Sequence, residues 1–193
     1  GKKVYLRNEL NRFDVLSLRD SVSLKMASDN FRDPTNCRIS TDISFALNHS
    51  KRYGKSFRRA AFSFREDPPE LSSSSRSLLS SHLYLEQLKN QFELSSVYQV
   101  QEDKACCDQL ASRLNLPLSK KLVPNNWRNF YDDIDVIITN RLHVALLAAS
   151  RGVVPIIVTQ KGHHKIINLF VDAGLESLLI FEYDFDGFGK MVT

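Results

Sequence analysis

Three absences narrow the class of this 193-residue chain before any motif is considered. No apolar run approaches the roughly 20 residues that a membrane-spanning helix needs. No basic, apolar and small-residue leader precedes the first apolar segment, so a soluble, cytoplasmic protein is expected. Cysteine is scarce and poorly placed for a metal. Cys37, Cys106 and Cys107 make an odd count, two of them adjacent, with neither C-x-x-C spacing nor a histidine cluster beside them. A zinc site is therefore not expected, and reduced, partly buried thiols are. Blocks of charge of one sign are also missing. The net charge is +4 with pI near 9.0, but Lys and Arg alternate with Asp and Glu. That pattern suits a solvated surface or a small anionic ligand and argues against nucleic acid as partner. At 42% hydrophobic residues the chain can bury one good core, or a core plus part of a second. It begins at Gly1 without an initiator Met, as a piece of a longer protein would.

The stretch from Asp133 to Pro155 organises what is present. Ile134 to Thr139 is short, apolar and β-branched, as a strand buried on both faces of a parallel sheet must be. Asn140 is a suitable helix cap, and Arg141, Leu142 and His143 then open an Ala- and Leu-rich helix. Gly152 is expected to close it, and Val153 to Val158 reads as the next buried strand. In a parallel sheet the carboxyl ends of strands and the amino ends of the following helices share the ligand-binding edge. A helix N-terminus attracts anions and repels cations. Arg141 stands in conflict with that dipole, and an external anion would resolve the conflict. His143, two residues on, could exchange a proton with the same ligand. Taken singly, Arg141 would more often snorkel to solvent and His143 bond a carbonyl; the pair at this edge favours a site.

Elsewhere, Val4 to Leu6 and Phe13 to Leu18 read as strands, and Ser21 or Ser23 as the cap of a helix reaching about Ser28. Arg19 again lies just past an apolar run, with Asp20 or Glu9 as an ordinary salt-bridge alternative. Cys37 to Leu47 suggests a strand end and a turn, and Asn48 to Arg59 a linker. Ala60 to Phe64 opens a second sheet. The spacing of Leu78, Leu79, Leu83, Leu85, Leu88 and Phe92 predicts a helix after the serines Ser72 to Ser75. Val97 to Val100 as a strand, Lys104 to Leu114 as a helix, a short strand within Pro117 to Leu122 and a short helix from Asn126 to Asp132 follow. The alternation predicts an α/β fold with a doubly wound parallel sheet. Lys165 and the paired histidines His163 and His164 precede a helix from Ile166 to Asp172, which Gly174 caps. They read as a basic lining for an anion; adjacent histidines point apart on a helix, so no metal is expected. The tail from Phe181 to Phe188 is acidic and aromatic.

Asn140-Arg141-Leu142-His143 after Asp-Val-Ile-Ile-Thr, then Gly152 and Pro155, His164-Lys165 and Ala173-Gly174-Leu175, resembles the C-terminal half of the polysaccharide pyruvyltransferase family. Leu18-Arg19-Asp20 with Ser23, Asp42 before an apolar run, and Gln101 near acidic residues are similar to the same pattern. The resemblance runs from about Asp14 to Leu179. It implies a glycosyltransferase B-like C-terminal domain over 59–193, with 1–58 as the end of an N-terminal domain and its linker. It also implies transfer of a pyruvyl group from phosphoenolpyruvate to a sugar of a cell-surface polysaccharide, with no cofactor. The acceptor would be a sugar or a lipid-linked oligosaccharide, so peripheral association with a membrane-bound acceptor is expected.

Phosphoenolpyruvate carries a phosphate and a carboxylate, both matched by guanidinium geometry. On this reading Arg19, Arg141, Leu142, His164 and Lys165 bind substrate. His143 is the general acid or base, since an unperturbed imidazole titrates near neutrality. The chain departs from the family in holding little of a first domain, and in Val144, where similar sequences often carry small or polar residues, which suggests an altered acceptor pocket. Two other classes stay open. One is a nucleotide-sugar glycosyltransferase of the same fold, for which Glu176 is a poor ribose ligand; the other is a non-catalytic glycan- or partner-binding domain.

Overall fold

The computed structural model describes residues 8–10, 12–31, 33–40, 58–65, 83, 85–123, 127–160 and 162–181. The strand expected at Val4 to Leu6, Asp42 with the apolar run after it, residues 48–57 of the linker, the serine run with Leu78 and Leu79, and the tail beyond Phe181 lie outside them. The chain divides into two compact units, residues 1–43 with 162–176, and residues 44–161 with 177–193. Residues 162–176 thus group with the N-terminal segment despite their late place in the sequence.

The first unit contains strand β1 (Leu16–Leu18), helix α1 (Ser21–Ser28) and strand β2 (Cys37–Ile39), with β1 and β2 paired in parallel. Asp20, rather than Ser21 or Ser23, caps α1. Its carboxylate accepts the Ser23 N–H at 2.7 Å and the Ser23 hydroxyl at 2.8 Å. An ionised cap accepts more strongly than a hydroxyl and suits the helix dipole, which explains the preference.

The second unit is built on six strands: β3 (Arg59–Ser63), β4 (Glu93–Tyr98), β5 (Lys120–Lys121), β6 (Val136–Thr139), β7 (Val154–Thr159) and β8 (Leu179–Phe181). They pair in parallel in the order β5-β4-β3-β6-β7-β8. The first strand of the sheet in chain order, β3, therefore lies inside it, and the winding reverses between β3 and β6. Such a reversal leaves a crevice at the carboxyl edge, because the connections from the two central strands depart in opposite directions.

Helices α2 (Lys104–Arg113), α3 (Trp127–Asp132) and α4 (Leu142–Ala149) cover the sheet. Side chains alternate along each strand, so each strand feeds both faces. Ala60, Phe62, Val136, Ile138, Ile156 and Val158 pack with Cys106, Leu110 and Leu114 of α2, and with Leu85 and Leu88 from a helical stretch at 85–89. Ala61, Val97 and Ile137 pack on the other face with Tyr131 of α3 and with Val144 and Ala148 of α4. Ile137 and Ile138 are fully buried, and each such side chain contributes about 1.5–3 kcal/mol. The acidic run around Asp133 serves the opposite, amino edge: Asp135 accepts the Arg58 and Arg59 N–H groups at 3.1 Å, and Asp132 takes a bidentate bond from Arg151.

Gly152 does close α4. Its φ is 74°, with bonds from its N–H to the Ala149 carbonyl (3.0 Å) and from the Val153 N–H to the Ala148 carbonyl (3.1 Å), the Schellman pattern that a glycine's left-handed backbone permits. In the first unit, helix α5 (His164–Asp172) begins two residues before the expected Ile166. His164 and Lys165 are consequently its first two helical residues rather than part of a loop. Strand β8 was not expected, being three residues of an apolar run too short to show a period. No helix of the described residues is long and apolar enough to cross a membrane.

Candidate functional site at the switch point

Strands β3, β6 and β7 deliver Ser63, Thr139 and Thr159 to the carboxyl edge as their last residues, all buried. Each lies two positions after, or one position out of phase with, a core residue, which puts all three hydroxyls on the sheet face that α4 covers. Thr139 is fully used. Its hydroxyl donates to the Ser63 carbonyl at 2.5 Å and accepts the Arg141 N–H at 2.9 Å, fixing the approach to α4. The Ser63 and Thr159 hydroxyls and the Gln160 side-chain nitrogen are buried with no hydrogen-bond partner among the described residues. Buried polar groups are nearly always bonded, so such atoms at a ligand-binding edge are available to a bound group or water. This hydroxyl row escaped the sequence reading. Its signal is a small hydroxyl residue ending each apolar run, as in Ala-Ala-Phe-Ser, Val-Ile-Ile-Thr and Ile-Ile-Val-Thr.

Asn140 is not the cap of α4, contrary to expectation. Its Oδ1 accepts the Arg65 N–H at 2.9 Å and its Nδ2 donates to the Arg65 carbonyl at 2.8 Å. A side-chain amide presents the same donor and acceptor as a peptide group, so Asn140 extends the β3–β6 ladder one step beyond its last pair, Ser63 with Thr139. The N-cap residue of α4 is Arg141, in extended backbone and without a side-chain cap.

Asp103 meets the charge of Arg141 inside the protein and so eases its conflict with the helix dipole. The guanidinium Nε donates to Asp103 Oδ2 at 2.8 Å and Nη2 donates to Asp103 Oδ1. Asp103 is 1% exposed and ends the short 3-10 turn, Gln101–Asp103, between β4 and α2. The pair therefore ties the loop after β4 to the loop after β6, across the carboxyl end of β3. Two N–H groups of the fork are engaged, and the Nη1 amino group takes no part in these bonds. Leu142 is buried, while His143 is exposed at the second position of α4. Val144 is fully buried and packs in the core beneath α4.

Two further groups near this edge are held inert by burial. Burial pushes the Cys107 thiol up to about 11, a rise that its backbone bond with Phe64 only partly offsets, so the thiolate is suppressed at neutral pH. Burial likewise raises the Tyr131 phenol, against a smaller opposing effect of its hydrogen bond with Gln99. No group of three or more His, Cys, Asp or Glu among the described residues could hold a metal ion.

The remaining predicted residues belong to the first unit and are not all brought together there. His164 and Lys165 are exposed at the start of α5, whose N-cap, His163, makes no side-chain cap bond. Arg19 is half-buried beside Asp20 at the start of α1. The last residue of α5, Asp172, reaches the same helix start, accepting the Ser21 N–H at 2.7 Å and the Ser21 hydroxyl at 3.1 Å. Arg19 thus lies toward one end of α5 and Lys165 at the other, roughly 10 Å along the axis at 1.5 Å per residue. Asp20 and Asp172 already occupy the N–H groups at the start of α1, where a bound anion would otherwise sit.

Comparison with known proteins agrees with this architecture. The solved structure of TarM, whose fold is of the glycosyltransferase B type, superposes with a TM-score of 0.54 at 12% identity. The match covers 98% of this chain and 38% of that one, so the chain spans well under half the length of TarM. At that identity the likeness speaks for the fold alone. Among curated proteins no sequence matches. The family model for polysaccharide pyruvyl transferase matches residues 1–162, more than four-fifths of the chain, and takes in Arg19, Asp103, Arg141 and His143. The chain belongs to the polysaccharide pyruvyl transferase family.

Proposed function

We propose that this chain is the donor-binding part of an enzyme that moves a pyruvyl group from phosphoenolpyruvate to a sugar and leaves it there as a cyclic ketal. The observation that carries the reading is the position of Arg141 and His143: the start of α4, at the switch point of a parallel sheet, in a chain of this family. The sugar would belong to a polysaccharide or to its lipid-linked precursor.

The reaction asks for few groups. Protonation of the methylene carbon of phosphoenolpyruvate turns it into a methyl group and leaves C2 electron-poor. One sugar hydroxyl adds to C2 and gives up its proton, the C2–O bond to phosphate breaks, and a second hydroxyl adds and loses its proton to close the ring. Of the two hydroxyl protons, one replaces the proton spent on the methylene and the other leaves with phosphate. His143 serves as the acid in the first step and the base in the second, since an imidazole can do both near neutral pH. The Arg141 guanidinium, fixed by Asp103, offers its remaining N–H groups to the donor carboxylate or phosphate, beside the uncapped N–H groups of α4. The free hydroxyls of Ser63 and Thr159 can bond donor oxygens at the same edge. In the first unit, Lys165 and His164 at a helix start without a side-chain cap bond are better suited to an anionic group than Arg19, beside which Asp20 and Asp172 already bond the start of α1.

The test is His143→Ala, assayed for ketal formation and for inorganic phosphate release. His143 is exposed, so the fold should hold, and loss of a general acid–base should lower kcat by about 10²–10⁴-fold. Turnover near the wild-type rate would remove His143 from the chemistry.

A further inference from the structure

From the Arg141–Asp103 geometry we infer that Asp103 is a positioning residue, which makes the switch-point site select its anion by direction rather than by net charge. The inference rests on the reading of α4 as the donor site. A lone arginine at a helix N-terminus would add its full charge to the dipole and attract any anion, inorganic phosphate included. Here the guanidinium is paired with a carboxylate that is itself 1% exposed, so the two together carry no net charge. What remains is geometry. Two bonds to Asp103 fix the plane of the fork, and the N–H groups they do not use point in a set direction from a side chain that is 27% exposed.

Asp103 is well placed for this role and for no obvious other. It sits at the junction of a 3-10 turn and α2 without making a cap bond there, so α2 does not depend on its side chain. Its partner lies 38 residues away on the far side of β3. A buried carboxylate is costly unless paired, and the pairing is spent on orienting Arg141 rather than on closing a helix. A ligand that offers oxygens in the plane of the fork gains directed bonds; one that offers only charge gains little. Release of the product phosphate follows from the same property, because a neutral site holds a simple anion weakly.

The test uses the full chain, its Asp103→Asn variant and its Arg141→Lys variant, with calorimetric titration of phosphoenolpyruvate and of inorganic phosphate and a parallel turnover assay. Asparagine keeps the size of Asp103 and one acceptor but frees the positive charge. The expected result is inorganic phosphate bound about 10-fold more tightly by Asp103→Asn, together with a kcat lowered about 10- to 100-fold by loss of orientation, and KM for phosphoenolpyruvate unchanged or smaller. A purely structural role would instead weaken binding and rate together. Arg141→Lys keeps the charge but cannot form the fork, and should show the same loss of kcat; it also decides the matter should the asparagine variant not fold. Phosphate affinity unmoved or reduced in a folded Asp103→Asn chain would overturn the inference. Failure of the wild-type chain to bind or turn over phosphoenolpyruvate would count against the donor reading alone, and the phosphate titration would still decide the role of Asp103.

Discussion

Asn140→Asp distinguishes a clamp from a cap, and the two give opposite signs. As a helix cap, Asp is as good as Asn, and its charge near the start of α4 would add about 0.3–1 kcal/mol of favourable dipole interaction. As the clamp on Arg65, the substitution keeps one bond and destroys the other. Oδ1 still accepts the Arg65 N–H, but the nitrogen that donates to the Arg65 carbonyl at 2.8 Å becomes an oxygen facing an oxygen. Losing that bond costs about 0.5–1.5 kcal/mol, and a half-buried carbonyl without a donor costs about 1–3 kcal/mol. Set against the dipole gain, the net is about 0.5–4 kcal/mol of destabilisation. For a chain of this length each 1 kcal/mol moves Tm by about 2–4 °C. The melt at pH 7, followed by circular dichroism beside a urea titration, should therefore fall by about 1–16 °C. Asn140→Ala loses both bonds and should fall comparably under either reading, so it serves as the control. Lowering the pH below about 4 protonates a carboxyl and restores a donor, so the deficit of the Asp variant should narrow there. A variant as stable as wild type at pH 7, or more so, would refute the clamp.

Two further predictions concern groups outside the site. Cys106 and Cys107 are buried, and Cys107 needs a pH near 11 to ionise, so at pH 8 about one molecule in 10³ carries its thiolate. A thiolate-specific reagent should label half-buried Cys37 alone in the native chain and all three thiols in denaturant; rapid native labelling of Cys107 would contradict its placement. Burial tends to raise the Asp108 carboxyl, but bonds from Lys104 and from the Ser119 N–H (2.9 Å) outweigh it and hold it below its ordinary value. The folded chain therefore binds that proton less readily than the unfolded one, and the contribution is fully present above the unfolded value and lost as pH falls on through the lowered folded value. Asp108→Asn should lower stability at neutral pH and flatten the acid limb of the stability profile; an unchanged acid limb would show the pair to be without effect, as exposed pairs often are.

What was legible in the sequence follows from the range of each interaction. The winding of the sheet could be read because burial on both faces writes itself as β-branched runs such as Val136 to Thr139, and because Gly152 and Gly174 mark helix ends by backbone conformation, a local property. Interactions decided by distant partners could not be read. Asn140 looks like a cap beside its own helix, and only its bonds to Arg65, 75 residues earlier, show otherwise. Arg141 looks like a cation in want of an anion until Asp103 is found against it. The bond that Asp172 makes to the helix start beside Arg19 is likewise invisible in the local sequence. In the first two cases the decisive bond is one that the fold makes with itself. The consequence reaches the proposed chemistry: where an internal carboxylate has already met Arg141, charge alone would not hold a donor there. On the proposed reading, discrimination would come from the direction of the remaining N–H groups at α4 and from the Ser63 and Thr159 hydroxyls, which have no partner among the described residues. Replacing a hydroxyl at this edge should therefore alter which anion is chosen more than how strongly anions bind as a class.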